Sequence, residues 1–369
     1  MQRGNDGSKF MLFLIVWVIV LMVFLMVAMG MLSVIFDFDT DYAFAMLSSP
    51  LGTIAYQLAA FILPLAVWMA IKGEAVKPSF PTAELGGKNI IIIVALSFLL
   101  QPLMMMISGI SGLFFTNDVA ELMYTFQQHS FILQVIAIAV TPAICEELVF
   151  RGYIQSKYSN HTIKKAALIN GLFFAIMHLN LQQFAYTFVL GVIFAYMVAY
   201  TRSIWAAILP HFIINGSQVT LSRLVFALAP AYAEHQVVEE FYGGLAISPE
   251  VQGIITFGVI TLVLSPVVIV LFVEFFRHNK WRIAGESSQI NAIDPVPQVS
   301  GYDYSSQVGS NPIPDWAKVH QESPYTPPGM VPHYAPPPIP TKPSLVDPYT
   351  IGVVAVFVVF VVLMFIGSA

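Results

Sequence analysis

The chain has 369 residues, of which 57% are hydrophobic and only 10% are charged, with a formal net charge of -5. A soluble globular chain carries roughly 25% charged residues, so this composition excludes a water-soluble protein and predicts an all-α polytopic bundle of membrane helices. There are 16 Lys and Arg residues and no basic patch interleaved with aromatic residues, which excludes nucleic acid as a partner. The single cysteine excludes an intrachain disulfide framework.

The hydropathy pattern predicts about eight core spans and one further C-terminal span, because a helix needs about 20 apolar residues to cross a hydrocarbon core. The first run is too long for the core of a signal peptide and has no small-residue cleavage site, so it predicts an uncleaved span. The fifth run is short and contains Asn170, so whether it fully crosses stays open. The predicted spans are Phe10–Phe36, Gly52–Ile71, Ile90–Phe115, Phe131–Tyr153, Ala166–Leu179, Phe184–Tyr200, Ile204–Leu228, Ile254–Phe276 and Thr350–Gly367.

Charges in the loops predict an orientation, since an excess of Lys and Arg marks the cytoplasmic side. Lys and Arg follow the second, fourth, sixth and eighth spans, and Asp and Glu fill the opposite loops. The N-terminus is therefore expected in the cytoplasm, in a multi-pass protein of a bacterial-type plasma membrane. The residues that carry this pattern are Lys72, Lys77, Lys88, Arg151, Lys157, Lys164, Lys165, Arg202, Arg277, Lys280 and Arg282 on one side, and Asp37, Asp39, Asp41, Asp118, Glu121, Glu234, Glu239 and Glu240 on the other.

A proline-rich segment at 285–348 interrupts the apolar chain, and 14 of the 24 prolines lie in Asp294–Pro348. Proline fixes φ and removes backbone donors, so we predict a disordered linker with polyproline II character. A tether to the last span is the favoured interpretation, and a docking site for an SH3-like partner is the alternative. The predicted domains are N-terminal helices at 1–120, a catalytic membrane core at 121–284, this linker, and a C-terminal anchor at 349–369.

Charged residues lie inside the fourth span at Glu146, Glu147 and Arg151, although ionisable groups within a span cost roughly 2.5–3.5 kcal/mol each. Glu147 and Arg151 are about 40° apart on one helix face and can pair. Glu146 points elsewhere and has no local cation. We therefore predict that Glu147 is structural or orienting and that Glu146 is the reactive acid or base. The alternative is that all three are solvated at the membrane interface.

Two histidines follow on later spans. His178 lies one turn after Phe174 at the end of the fifth span, a position typical of capping or interfacial residues. His211 and Asn215 share one face of the seventh span and can contact one bound group, or can simply form an interhelical hydrogen bond. The order of one Glu and two His on separate spans that can converge favours a shared site.

The patterns Glu-Glu-x-x-x-Arg at 146–151, Phe-x-x-x-His at 174–178 and His-x-x-x-Asn at 211–215 resemble the three signature motifs of the CPBP family. That family includes type II CAAX prenyl endopeptidases, their prokaryotic relatives, and bacteriocin-processing or immunity proteins formerly called the Abi group. The resemblance covers roughly residues 131–228. It does not extend to the first three spans, the linker or the last span.

The resemblance implies an intramembrane endopeptidase with a cytosol-facing cavity and a peptide or lipidated-protein substrate in a lipid environment. It implies that Glu146 activates the attacking water with His178 beside it, supported by the neighbouring ion pair. It also implies that His211 and Asn215 position the substrate carbonyl or stabilise the oxyanion, where a preorganised donor is worth about 2.7–4 kcal/mol.

A metal is the main alternative to this mechanism, because Glu146, His178 and His211 resemble a zinc set of three protein ligands and one water. A metal would occupy Glu146, and the second carboxylate is engaged with Arg151, so a metal-free water activated by glutamate is preferred. Cys145 is interpreted as a packing residue, because apolar burial and neighbouring carboxylates disfavour its thiolate.

Two other functions compete with the protease. A non-catalytic scaffold or immunity protein of the same family would use the site only for binding, but it has no need to bury an unpaired Glu146. A proton-coupled transporter predicts paired, symmetry-related broken helices, and the sequence contains no visible repeat.

Overall fold

A computed structural model describes residues 3–37, 45–75, 80–233, 248–293 and 346–367. These ranges form helices and no strand, which confirms the predicted all-α membrane bundle. The helices are α1 (Arg3–Phe36), α2 (Pro50–Lys72), α3 (Gly87–Gly112), α4 (Asp118–Thr125), α5 (Phe131–Lys157), α6 (Ile163–Met177), α7 (Leu181–Thr201), α8 (Trp205–Ala233), α9 (Pro249–Ile293) and α10 (Pro348–Gly367).

Each of the nine predicted spans corresponds to one of these helices, and α4 is an addition. Six helices in the described ranges are long and apolar enough to cross a membrane by length and composition: α1, α2, α3, α5, α7 and α9. Helix α6 has only 15 residues, or about 22 Å, which is shorter than a hydrocarbon core of about 30 Å. The short length of α6 therefore explains why the sequence leaves open whether the fifth predicted span fully crosses the membrane.

Capping groups set the helix ends that hydropathy leaves vague. The side chain of Thr162 accepts a hydrogen bond from the Lys165 amide at the start of α6, and Asn180 does the same for Gln183 at the start of α7. Such side chains satisfy backbone donors that have no partner inside the helix. The Asn180 cap closes a short turn between α6 and α7, with His178 and Leu179 inside it.

Helices α6 and α7 approach closely at two glycines. A methyl group added to Gly191 would lie 2.8 Å from the Cα of Gly171, and one added to Gly171 would lie 2.9 Å from the backbone nitrogen of Val192. Small residues let membrane helices pack with their backbones in contact. This close approach leaves the Gly191 carbonyl open to side chains from α5.

Several basic loops meet at one end of the bundle, here called the basic end. Lys157 at the end of α5 pairs with Glu74 just after α2, at 2.5 Å. Next to α7, Arg202 accepts through its backbone oxygen a hydrogen bond of 2.9 Å from the Ala83 amide, ahead of α3. From α9, Arg282 donates to the Thr201 carbonyl at 2.6 Å. The described loops therefore share one end in the way that the charge pattern predicts.

The last helix packs against the first. Ser8 at the start of α1 donates to the carboxylate of Asp347, which directly precedes α10 and also accepts from the Thr350 amide at 2.7 Å. Farther along α10, the Phe357 ring stacks on Phe184 of α7, with ring centroids 5.6 Å apart. Helix α10 is thus part of the same packed unit as α1 to α8.

The proline-rich linker lies largely outside the described residues. Helix α9 continues to Ile293, eight residues beyond the predicted start of the linker at residue 285. The SH3-like partner expected for the linker also falls on residues outside the described ranges.

Candidate functional site

Glu147 is the centre of a fully buried charge network. Its carboxylate lies 2.9 Å from Nη1 of Arg151, and both side chains are completely inaccessible to solvent. The Nδ1 atom of His211, from α8, lies 2.7 Å from the Oε1 atom of Glu147. One carboxylate therefore joins the first and third motifs. From the sequence alone, His211 was expected at the substrate and not against Glu147.

Arg151 has further partners that compensate its burial. Its Nη2 group donates to the Gly191 carbonyl on α7 at 3.1 Å. The guanidinium lies over the Phe174 ring at 4.2 Å from the centroid and near the Phe194 ring at 5.5 Å. Cation–π contacts gain strength when they are desolvated, so α5, α6 and α7 each stabilise this cation.

A π-helical turn at Leu148–Ile154 contains Arg151 and follows directly after the two carboxylates. Such turns disturb the ordinary backbone ladder and are frequent at functional sites. The Asn170 side chain on α6 donates to the Phe150 carbonyl within the turn, at 2.6 Å. Asn170 is fully buried, so the polar residue that interrupts the fifth hydrophobic segment is engaged with the backbone of α5.

Glu146 has a different environment. It is buried, and its Oε1 atom accepts a hydrogen bond from Nε2 of Gln57 on α2, at 3.3 Å. His178, Tyr186 and Arg151 lie within electrostatic range of this carboxylate, but in the described part of the chain none of the three forms a hydrogen bond or ion pair with it. Glu146 is thus held by a neutral amide, whereas its neighbour Glu147 is held by a cation and an imidazole.

His178 lies in the turn between α6 and α7 and is half-buried. Its Nδ1 atom lies 2.8 Å from the Phe174 carbonyl. A carbonyl only accepts, so Nδ1 carries the proton and Nε2 is an acceptor in the neutral ring. The Phe174 ring packs edge-on against both histidines, with centroids 4.9 Å from His178 and 6.0 Å from His211.

Asn215 lies one turn beyond His211 on α8. Its Nδ2 group donates to the Ile138 carbonyl of α5 at 3.0 Å. Ile138 lies in a second π-helical turn, Ile136–Val140. Asn215 therefore ties α8 to α5 through one N–H and retains a second N–H on the same amide nitrogen.

The seven side chains that define the three motifs thus lie around one region where α5, α6 and α8 meet. Three further residues belong to it that motif spacing could not reveal: Gln57 from α2, and Tyr186 and Gly191 from α7. Gln57 is 89 positions away from Glu146. Its only signal in the sequence is a polar side chain inside an apolar span.

The candidate zinc residues Glu146, His178 and His211 are not gathered as a set of ligands: across the described ranges, no group of three or more His, Cys, Asp or Glu side chains is arranged to hold a metal ion. Nδ1 of His211 is directed at Glu147 and Nδ1 of His178 at the Phe174 carbonyl, which leaves Nε2 of each ring for another partner. Metal-ligating histidines engage their second ring nitrogen in the same way, so zinc stays the alternative to a metal-free mechanism, and removal of metal by a chelator decides between them.

A comparison with protein families identifies the same region. Residues 128–217 match the family model described as Rce1-like, a type II CAAX prenyl endopeptidase. No curated protein and no solved structure matches the chain. The matched segment begins just before α5, contains all three motifs and ends two residues after Asn215. This Rce1-like segment supports membership of the CAAX protease (CPBP) family.

Proposed function

We propose that the protein is an intramembrane endopeptidase that hydrolyses a peptide bond with a water activated by Glu146. The observation that carries the proposal is the contrast between the two adjacent carboxylates. Glu147 forms a direct ion pair with Arg151, whereas Glu146 accepts from a neutral amide and lies within electrostatic range of His178. A buried carboxylate that is not held in an ion pair is suited to exchange a proton with a bound water.

The reaction uses groups with defined proton positions. Glu146 takes a proton from the water while the water oxygen bonds to the scissile carbonyl carbon and the C=O π electrons move onto oxygen. Nε2 of His178 accepts a hydrogen bond from the other O–H, because its Nδ1 proton is engaged by the Phe174 carbonyl. The tetrahedral species then re-forms C=O and breaks the C–N bond, and Glu146 returns its proton to the leaving amine.

His211 and Asn215 are the groups available to the scissile carbonyl. Because His211 directs Nδ1 at Glu147, its Nε2 is the nitrogen left for a substrate. Nε2 accepts in the neutral ring and donates to the carbonyl oxygen only when the ring is an imidazolium, with one N–H on Glu147 and the other on the substrate. Asn215 offers its second N–H from the next turn of α8. Donors fixed before the reaction stabilise the developing oxyanion without reorganisation. Glu147 and Arg151 act through His211 and hold its ring in place.

The direct test uses the protein purified in detergent and a peptide library that includes C-terminal prenylated cysteine motifs and unmodified membrane-peptide precursors. Wild type should cleave at least one class, and Glu146→Gln should not. Cleavage that persists in Glu146→Gln would refute this mechanism. Absence of cleavage by wild type across the library would favour the non-catalytic scaffold or immunity function.

We further propose that the basic end faces the cytoplasm, because an excess of Lys and Arg marks that side. In a Cys145→Ala background, single cysteines at exposed Ser48 and Lys164 report the two ends of the bundle. A membrane-impermeant maleimide added to intact cells should label Ser48→Cys and spare Lys164→Cys. The opposite labelling would reverse the orientation.

A further inference from the structure

Gln57 lies at the junction between the first α-helical stretch of α2 and its π-helical turn Leu58–Ile62. The residue is half-buried, and its side chain crosses from α2 to Glu146 on α5. An ionised carboxylate accepts hydrogen bonds and cannot donate them, so the amide nitrogen must be the atom that faces Glu146. The amide oxygen of Gln57 is thereby directed away from that carboxylate oxygen.

This amide oxygen is one of several buried polar atoms of the site without a partner in the described ranges, with Nε of Arg151 and Oδ1 of Asn170, and it belongs to the side chain that contacts Glu146. The Oε1 atom of Gln57 is buried and has no hydrogen-bond partner within the described part of the chain. Buried polar atoms are normally satisfied, and an exception in a native protein calls for a ligand, a water or a functional role. A donor from outside the described chain would satisfy it.

Two residues next to Glu146 thus carry a further acceptor: Oε1 of Gln57, whose Nε2 contacts the carboxylate, and Nε2 of His178, a ring within electrostatic range of it. The attacking water has two O–H groups, and the proposed reaction directs them at Glu146 and His178. Oε1 of Gln57 is therefore left to accept a hydrogen bond from a donor other than the water. A peptide substrate carries one backbone N–H per residue other than proline, next to the carbonyl that is attacked.

We propose that Gln57 binds a backbone N–H of the substrate beside the scissile bond, while its own amide N–H fixes the rotamer of Glu146. The proposal rests on the proposed endopeptidase function and adds a substrate-binding residue from α2, outside the family segment 128–217. The substrate must then have an extended main chain with a free N–H at one defined position near the cleaved bond.

A purely structural role is the competing explanation, because interhelical hydrogen bonds are common in membrane proteins. The chain offers a matched control in Gln155 on α5. It is also half-buried, donates through Nε2 to a carbonyl on another helix, Ala195 at 2.9 Å, and has a buried Oε1 with no partner in the described ranges. It differs from Gln57 in lacking a contact with the reactive carboxylate.

The test combines protein variants with a scan of the substrate. A cleaved peptide is prepared as a series in which each member carries one N-methylated residue, and each is assayed with wild type, Gln57→Leu and Gln155→Leu. One methylation should lower kcat/KM of wild type by roughly tenfold, as expected for loss of one buried hydrogen bond. The kcat/KM of Gln57→Leu on the unmodified peptide should be roughly tenfold below that of wild type. Methylation at the sensitive position should not lower the kcat/KM of this variant further.

Gln155→Leu should keep the wild-type response of kcat/KM to methylation at every position, and its thermal stability in detergent should fall about as much as that of Gln57→Leu. If the losses from methylation and from Gln57→Leu multiply at every position, the N–H contact does not exist and the proposal is overturned. The same assay includes Glu146→Gln. Full activity of Gln57→Leu beside an inactive Glu146→Gln overturns the Gln57 proposal alone, and full activity of Glu146→Gln overturns the proposed mechanism itself.

Discussion

Glu146 and Glu147 are adjacent in the chain and have opposite surroundings. Glu147 is inaccessible to solvent and is shared between a guanidinium and an imidazole. Glu146 retains 6% exposure and accepts from a neutral amide. Consecutive residues on a helix point about 100° apart, so one carboxylate faces the inner packing of α7 and α8 and the other faces α2.

This difference divides the site into a fixed half and a reactive half. The fixed half consists of Glu147, Arg151 and Asn170, all with inaccessible or nearly inaccessible side chains. The reactive half contains Glu146 and the half-buried His178. A buried ion pair strongly resists loss of one partner, whereas a carboxylate outside the ion pair can accept a proton at lower cost. Substitutions in the fixed half should therefore mainly lower stability, and substitutions in the reactive half should mainly lower activity.

Glu146→Gln should have the largest effect on catalysis. Because the general base is lost and the shape is kept, we expect turnover to fall by roughly 10²–10⁴-fold, with an unfolding midpoint close to that of wild type. Single-turnover cleavage and thermal unfolding in detergent measure the two quantities. A large loss of stability would show that Glu146 belongs to the fixed half and would contradict the difference between Glu146 and Glu147.

Arg151→Met should show the reverse behaviour. The change leaves the Glu147 carboxylate buried without its cation, which costs about 3–5 kcal/mol of folding free energy. The double variant Glu147→Leu with Arg151→Met should recover much of that stability and stay inactive, because His211 loses its anchor. Denaturant unfolding in mixed micelles provides the comparison, and equal stability of the single and double variants would contradict the buried ion pair.

Gly191→Ala tests the packing beneath the fixed half. The added methyl group would lie 2.8 Å from the Cα of Gly171, so α6 and α7 must move apart. This should lower the free energy of unfolding by about 1–3 kcal/mol, as in other overpacked cores. The separation also moves the carbonyl that binds Arg151. The exposed Gly112 on α3, which has open space around it, serves as the control for alanine substitution. Equal midpoints for the two variants would refute the close contact.

The smallest effects should come from changes that touch neither half. Cys145→Ala removes a buried thiol from an apolar cluster that the reaction does not use, and should leave kcat unchanged. Treatment with a chelator should likewise leave it unchanged. Loss of cleavage in Cys145→Ala would indicate a thiol nucleophile, and loss on chelation with recovery on added zinc would indicate a metalloprotease.

The sequence by itself determined the class of the protein, the helical segments, the grouping of basic loops and the three motifs. These features are local or periodic: an apolar run long enough to span lipid, a Lys and Arg bias, and i, i+4 spacing on one helix. The pairing of Glu147 with Arg151 was predictable for that reason, since four residues along one helix place the two side chains on one face.

Only the tertiary structure decided which groups surround each carboxylate. The contacts of Glu147 with His211 and of Glu146 with Gln57 join residues that are 64 and 89 positions apart. The Gly191 carbonyl became available through the crossing of α6 and α7. No spacing rule encodes such contacts, because they depend on how helices pack. The same packing made α10 part of the bundle through Asp347 and Phe357, where hydropathy alone indicated only a separate anchor.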